Sequence, residues 1–167
     1  MNHDLIVLMG VSGCGKTTLG RTLEERSGWP FLEGDDFHPP ENKEKMGAGI
    51  PLTDDDRWPW FDRLREEAKS AIEKSPEGKP VTLACSALKR EYRDYLLRDF
   101  KNPLIIFIRG SKETILGHVN DREHEYMPPS LLDSQFETLE EPGEDENPLI
   151  VEIEDGIETA IERLTDL

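Results

Sequence analysis

The chain has 167 residues, enough for one domain with a substantial core. With 36 Asp and Glu against 20 Lys and Arg, its formal charge is −16, and such a surface repels nucleic-acid backbones and anionic lipid, so neither is an expected partner. The two cysteines, Cys14 and Cys85, form no disulfide framework or metal-ligand spacing; no apolar run approaches the ~20 residues of a membrane helix, and no secretory signal opens the chain, so a cytoplasmic protein is expected.

Short apolar runs alternate with longer amphipathic stretches. Candidate strands are Leu5–Met9, Phe31–Leu32, Val81–Cys85, Leu104–Ile108 and Leu149–Ile153, with helices expected over 16–26, 56–74, 90–98, 111–122, 130–140 and 156–166. Strands that are apolar throughout, separated by helices, indicate a parallel sheet covered on both faces, a doubly wound α/β domain spanning 1–167. Thr53 with Asp56, and Ser130 with Asp133, have the spacing of capping boxes. In the 56–74 helix, Trp60, Phe61, Leu64, Ala68, Ala71 and Ile72 recur at helical spacing and read as a core stripe. The Pro39-Pro40 segment and the polar stretches 75–79 and 141–147 read as loops.

The first strand runs directly into Gly10-Val11-Ser12-Gly13-Cys14-Gly15-Lys16-Thr17, and Thr18 continues into a helix. This is G-x-x-x-x-G-K-[ST] in its required strand–loop–helix setting. Glycines let successive backbone N–H groups turn inward onto phosphate oxygens at a helix N-terminus. Lys16 adds a mobile positive charge for the outer phosphates, and the Thr17 hydroxyl is a ligand for Mg²⁺. A nucleoside triphosphate is the implied ligand. No N-K-x-D guanine-reading motif follows a strand, which sets the chain apart from a GTPase switch.

Ligands of open α/β sheets sit beyond the carboxyl ends of the strands. The second strand ends in Glu33-Gly34-Asp35-Asp36-Phe37-His38, where Asp35 is the candidate to orient or deprotonate an acceptor hydroxyl. The third strand ends in Cys85-Ser86-Ala87-Leu88-Lys89-Arg90-Glu91-Tyr92-Arg93. Its cations Lys89, Arg90 and Arg93 run against the acidic grain of the chain and suit an anionic acceptor.

These blocks resemble the gluconokinases, P-loop sugar-acid kinases related to shikimate and adenylate kinases. The resemblance is carried by Met9 through Thr17, Gly34-Asp35 to His38-Pro39, Asn42-x-x-Lys45-Met46, and Pro51-Leu52-x-Asp54-x-Asp56-Arg57-x-Pro59-Trp60. Cys85-Ser86-Ala87-Leu88-Lys89-Arg90-x-Tyr92-Arg93-Asp94 and Gln135-Phe136-Glu137-Thr138-Leu139-Glu140-x-Pro142 complete it. It implies a five-stranded parallel sheet like that of the nucleoside-monophosphate kinases, a helical lid at about 118–130, and often a homodimer. The implied reaction is ATP- and Mg²⁺-dependent phosphorylation of the 6-hydroxyl of D-gluconate, giving 6-phospho-D-gluconate and ADP, a step of gluconate catabolism feeding the pentose phosphate pathway.

Carried over by position, Lys16, Asp35 and Arg122 would be catalytic, and Gly10 to Thr18 would bind ATP. Asp35, His38, Lys45, Arg57, Lys89, Arg90 and Arg93 would surround the acceptor, and Thr17 and Glu33 would serve the metal. The late loop 141–147 would neighbour the base. Two departures stand out: Glu33 replaces the usual Asp, and His118 replaces the first of two lid arginines, leaving Arg122. Kinases of other small polyol acids such as shikimate, and a non-catalytic nucleotide-binding regulator, are the alternative readings.

Overall fold

A computed structural model describes residues 3–120 and 129–167. Five strands, β1 (Leu5–Met9), β2 (Phe31–Glu33), β3 (Val81–Ala84), β4 (Leu104–Arg109) and β5 (Leu149–Glu152), form one parallel sheet in the order β2-β3-β1-β4-β5. The central strand β1 is apolar at every position and buried from end to end because both faces of the sheet are covered. One face packs Ile6, Leu8, Ile106 and Val151 against α1 (Lys16–Ser27) and α7 (Ile157–Thr165). The other packs Leu5, Val7, Leu83 and Phe107 against α3 (Asp54–Lys74) and α4 (Arg90–Leu97).

The remaining helices are α2 (Pro40–Gly47), α5 (Lys112–Asn120) and α6 (Pro129–Thr138). The expected stripe of α3 is the core contact, with Trp60, Phe61, Leu64 and Ala68 buried and Ala71 and Ile72 packed at its margin. The Thr53 box forms as expected: the Thr53 hydroxyl accepts from the Asp56 N–H, and the Asp56 carboxylate accepts from the Thr53 N–H. Ser130, by contrast, lies inside the first turn of α6, which already begins at Pro129.

Helix α2 replaces the loop expected at Pro39-Pro40. Proline is compatible with a helix's first turn, where its missing N–H costs no bond, so Pro40 starts the helix rather than preventing it. Among the described residues no helix is long and apolar enough to cross a membrane.

Candidate active site

The carboxyl ends of β1, β2 and β3 open into a cavity of about 460 Å³. Its lining includes Ser12, Gly13, Lys16, Thr17 and Arg21 from the phosphate loop and α1, Glu33 and Asp35 after β2, and Cys85 and Ser86 after β3. Gly15 caps α1 in the left-handed region, at φ 104°, where a side chain would be strained. Lys16 is folded onto its own loop, its ammonium donating to the carbonyls of Gly10 at 2.9 Å and Val11 at 3.0 Å. The Thr17 hydroxyl donates to the Glu33 carboxylate.

Asp35 sits at the first turn after β2, positioned by backbone crowding. A Cβ on Gly34 would stand 2.3 Å from the Ala84 carbonyl oxygen, so only glycine lets the two strand ends approach this closely. The Trp60 indole N–H donates to the Gly34 carbonyl at 2.9 Å and pins the turn. Glu33 closes it by accepting from the Asp35 N–H.

The Asp35 side chain is 80% exposed to the cavity, while its neighbour His38 is 3% exposed. The His38 ring stacks on Trp60 at 3.9 Å between centroids. Asn42 Nδ2 lies 3.3 Å from His38 Nδ1 and also donates to the Asp56 carbonyl. With Asn42 donating, His38 Nδ1 accepts and the proton sits on Nε2, which faces the Asp35 carboxylate at 3.7 Å. The neighbouring His38 imidazole, aided by Lys16, holds the Asp35 carboxyl below its ordinary range, so it is an ionised acceptor at neutral pH.

The expected acceptor cations separate into two groups. Arg57 and Lys89 converge on Tyr92, their charges 5.2 and 5.4 Å from its ring centroid. The Tyr92 hydroxyl donates to Asp54, which also pairs with Lys89 at 3.5 Å. Lys45 stands beside this group, holding both oxygens of Asp56. That pairing, with the Thr53 cap, brings the Asp56 carboxyl down to about 2.

Arg90 and Arg93 are placed elsewhere. Both line a second depression with Asp145 and Glu146; like His38, Lys45, Arg57 and Lys89, neither lines the cavity that holds Asp35. Arg90 pairs with Asp145. Arg93 is 2% exposed, binds Glu146 at 2.7 Å and donates to the Ala87 carbonyl at 2.9 Å. Ala87 has φ 45°, unusual for a residue with a Cβ, so Arg93 clamps a strained turn. The expectation that these two arginines face an anionic acceptor is corrected accordingly: they tie the loop after β3 to the 143–147 turn. The same contacts place that turn against α4.

The 141–147 segment pairs with Arg90, Arg93 and Arg109. Next to the phosphate loop lies an apolar cavity of about 400 Å³, bounded by Cys14, Thr18, Leu19, Val151, Ile153 and Ile157. Arg122 and most of the expected lid lie outside the described residues. Burial pushes the Cys85 thiol up to about 12, so it stays protonated and is no nucleophile.

The sequence assigned no site role to Arg21, and Asn42, Trp60, Tyr92 and Gln135 entered only as core or motif residues. Arg21 follows Thr17 by four residues and therefore shares its helix face, a signal that was present.

The phosphate-binding loop at a helix N-terminus, the parallel sheet and the carboxylate facing the loop define a P-loop phosphotransferase. The shikimate kinase family model matches residues 12–164. The chain is 45% identical over 163 residues to the gluconokinase of Gluconobacter oxydans, covering 95% of this chain and 88% of that protein. It is 41% identical over 150 residues to the thermosensitive gluconokinase of Escherichia coli, covering 90% and 79%. The crystal structure of a gluconokinase from Sinorhizobium meliloti superposes with a TM-score of 0.83 at 41% identity, covering 95% of this chain and 87% of that one. The chain belongs to the gluconokinases of the shikimate kinase family.

Proposed function

We propose that the protein transfers the γ-phosphoryl group of ATP to the 6-hydroxyl of D-gluconate, forming 6-phospho-D-gluconate and ADP. The observation that carries this reading is the ionised, cavity-facing Asp35 held beside Lys16 and Thr17. Phosphoryl transfer needs positioning and charge stabilisation more than covalent chemistry, and these residues supply both.

The loop N–H groups and Lys16 receive the triphosphate, with Lys16 exchanging the Gly10 and Val11 carbonyls for phosphate oxygens. Asp35 accepts the hydrogen bond of the acceptor hydroxyl, aligns its oxygen with the γ-phosphorus and takes the proton as the new O–P bond forms. His38 keeps Asp35 oriented and ionised. Arg57 and Lys89 face the acceptor side and suit its carboxylate, and the apolar cavity beside Cys14 and Thr18 suits the adenine ring.

The donor set fits Mg²⁺, because Thr17 and Glu33 offer hard oxygen atoms side by side and leave the remaining positions to phosphate and water. When bound, the ion neutralises charge on the phosphates.

The test is ADP release with Mg·ATP, comparing gluconate, shikimate, a nucleoside monophosphate and no acceptor. Gluconate-dependent release is expected. Release with another acceptor alone would refute the substrate, and tight nucleotide binding without release would refute the reaction.

A further inference from the structure

Gln135 belongs to a motif that the reaction does not account for. It lies 123 residues from Ser12 in sequence, yet its side-chain amide grips that residue at two points. The Ser12 backbone N–H donates to Gln135 Oε1 at 2.6 Å, and Gln135 Nε2 donates to the Ser12 hydroxyl at 2.8 Å. Ser12 stands inside the phosphate loop and lines the cavity with Lys16, Thr17 and Asp35. Its N–H, in a loop whose amides generally turn toward phosphate, is directed at a side chain of α6.

The other end of the same segment holds the loop after β3, which carries Lys89. The Glu140 N–H donates to the Leu88 carbonyl at 2.7 Å, and the Glu140 carboxylate accepts from the Arg90 N–H at 3.3 Å. Between these ends, Leu139 packs against the cores on both faces of the sheet. One short run of chain therefore touches the phosphate loop at Gln135 and the loop after β3 at Glu140. It is built like a strut between donor and acceptor.

We propose that Gln135 is a positioning residue for phosphoryl transfer, holding the Ser12 end of the phosphate loop in register with the acceptor loop. The inference rests on the reaction proposed above. The Gln135 amide serves Ser12 as acceptor and donor together without placing a negative charge beside the phosphates. The strut acts by keeping two loops in a reactive relation, where a misplacement of about 1 Å can cost on the order of a hundredfold in rate.

The test combines Gln135→Ala, Gln135→Glu, Ser12→Ala and the Ser12→Ala/Gln135→Ala double variant. Steady-state ADP release, Mg·ATP affinity by calorimetry without acceptor, and thermal melting are measured on each. Gln135→Ala is expected to lower kcat about tenfold or more, well below its melting temperature, with a smaller change in the KM for gluconate. Adding Ser12→Ala to it should cost little more, because the contact is already gone.

Gln135→Glu should melt like wild type, since its carboxylate accepts from both Ser12 groups, yet bind Mg·ATP several-fold more weakly. A Gln135→Ala kcat within twofold of wild type, or losses that multiply in the double variant, would overturn the proposal. If wild type releases no ADP with gluconate, the reaction fails first. Calorimetry then decides the strut: unchanged Mg·ATP affinity in both Gln135 variants overturns it, and weakened affinity in both sustains the loop-holding role. Should Gln135→Ala not fold, Gln135→Glu and Ser12→Ala answer the same questions.

Discussion

On the nucleotide side of the cavity, charge is received by backbone. Glycines set the loop, the α1 N-terminus aims its amides, and Lys16 rests on the Gly10 and Val11 carbonyls. On the proposed acceptor side the cations are side chains that already hold carboxylates: Lys45 with Asp56, and Lys89 with Asp54. On the proposed reading, an anionic acceptor exchanges its own carboxylate for one of those already paired. The first design gives strength that depends little on the substrate; the second gives selectivity, because an acceptor without a correctly placed carboxylate leaves those pairs as they were.

The comparison can be broken first at its backbone end. Lys16→Ala should lower kcat/KM for ATP by about a thousandfold, since it removes the mobile charge at the transferred phosphoryl group. Initial-rate kinetics with gluconate saturating check this.

Arg93→Ala tests whether that arginine is structural. It leaves Glu146, only 7% exposed, without its partner and frees the strained turn at Ala87. Denaturant unfolding should show a loss of about 3–5 kcal/mol, and replacing both partners by apolar residues should recover much of it. A folded Arg93→Ala protein with a raised KM for gluconate alone would return Arg93 to the acceptor site.

Arg57→Ala and Lys89→Ala sharpen the contrast at the acceptor end. Each should raise the KM for gluconate about tenfold while that for ATP moves little. Equal effects on both would mean that the two halves are not separate.

The smallest effect concerns acid stability. Asp56, brought down to about 2 by Lys45 and the cap, is depressed in the folded state relative to its ordinary 3.8. Its contribution is therefore complete above about pH 4 and is lost as pH falls through about 2. Melting curves of Asp56→Asn should show a shallower fall between pH 5 and pH 2 than wild type; parallel curves would contradict the assignment.

The same division explains what could be read from the sequence. The phosphate loop is legible because its chemistry lies in one contiguous string whose glycine positions are fixed by the motif, and β1, β3, β4 and β5 are legible because each is a short, mostly apolar run set between polar stretches. Asp35 was found from its place after a strand. Its supporters His38, Asn42 and Trp60 come together only through packing of α2 and α3, and α2 itself was obscured by reading Pro39-Pro40 as a stop rather than a start.

Arg93 was misplaced because a cation at a strand end looks ligand-facing. Yet Tyr92, Arg93 and Leu96 form the buried face of α4, and the three-residue spacing of Arg93 from Leu96 carried that signal. Gln135 stood in a motif of the resemblance, but nothing in the sequence joined it to Ser12, 123 residues away.

The most direct test replaces Asp35 by Ala and measures two quantities on the same protein, gluconate-dependent ADP release and Mg·ATP affinity. The account predicts that release falls by about a hundredfold or more while nucleotide affinity stays near wild type. Release that survives the substitution would contradict the assignment of Asp35 to the acceptor hydroxyl, and with it the proposed division of the site.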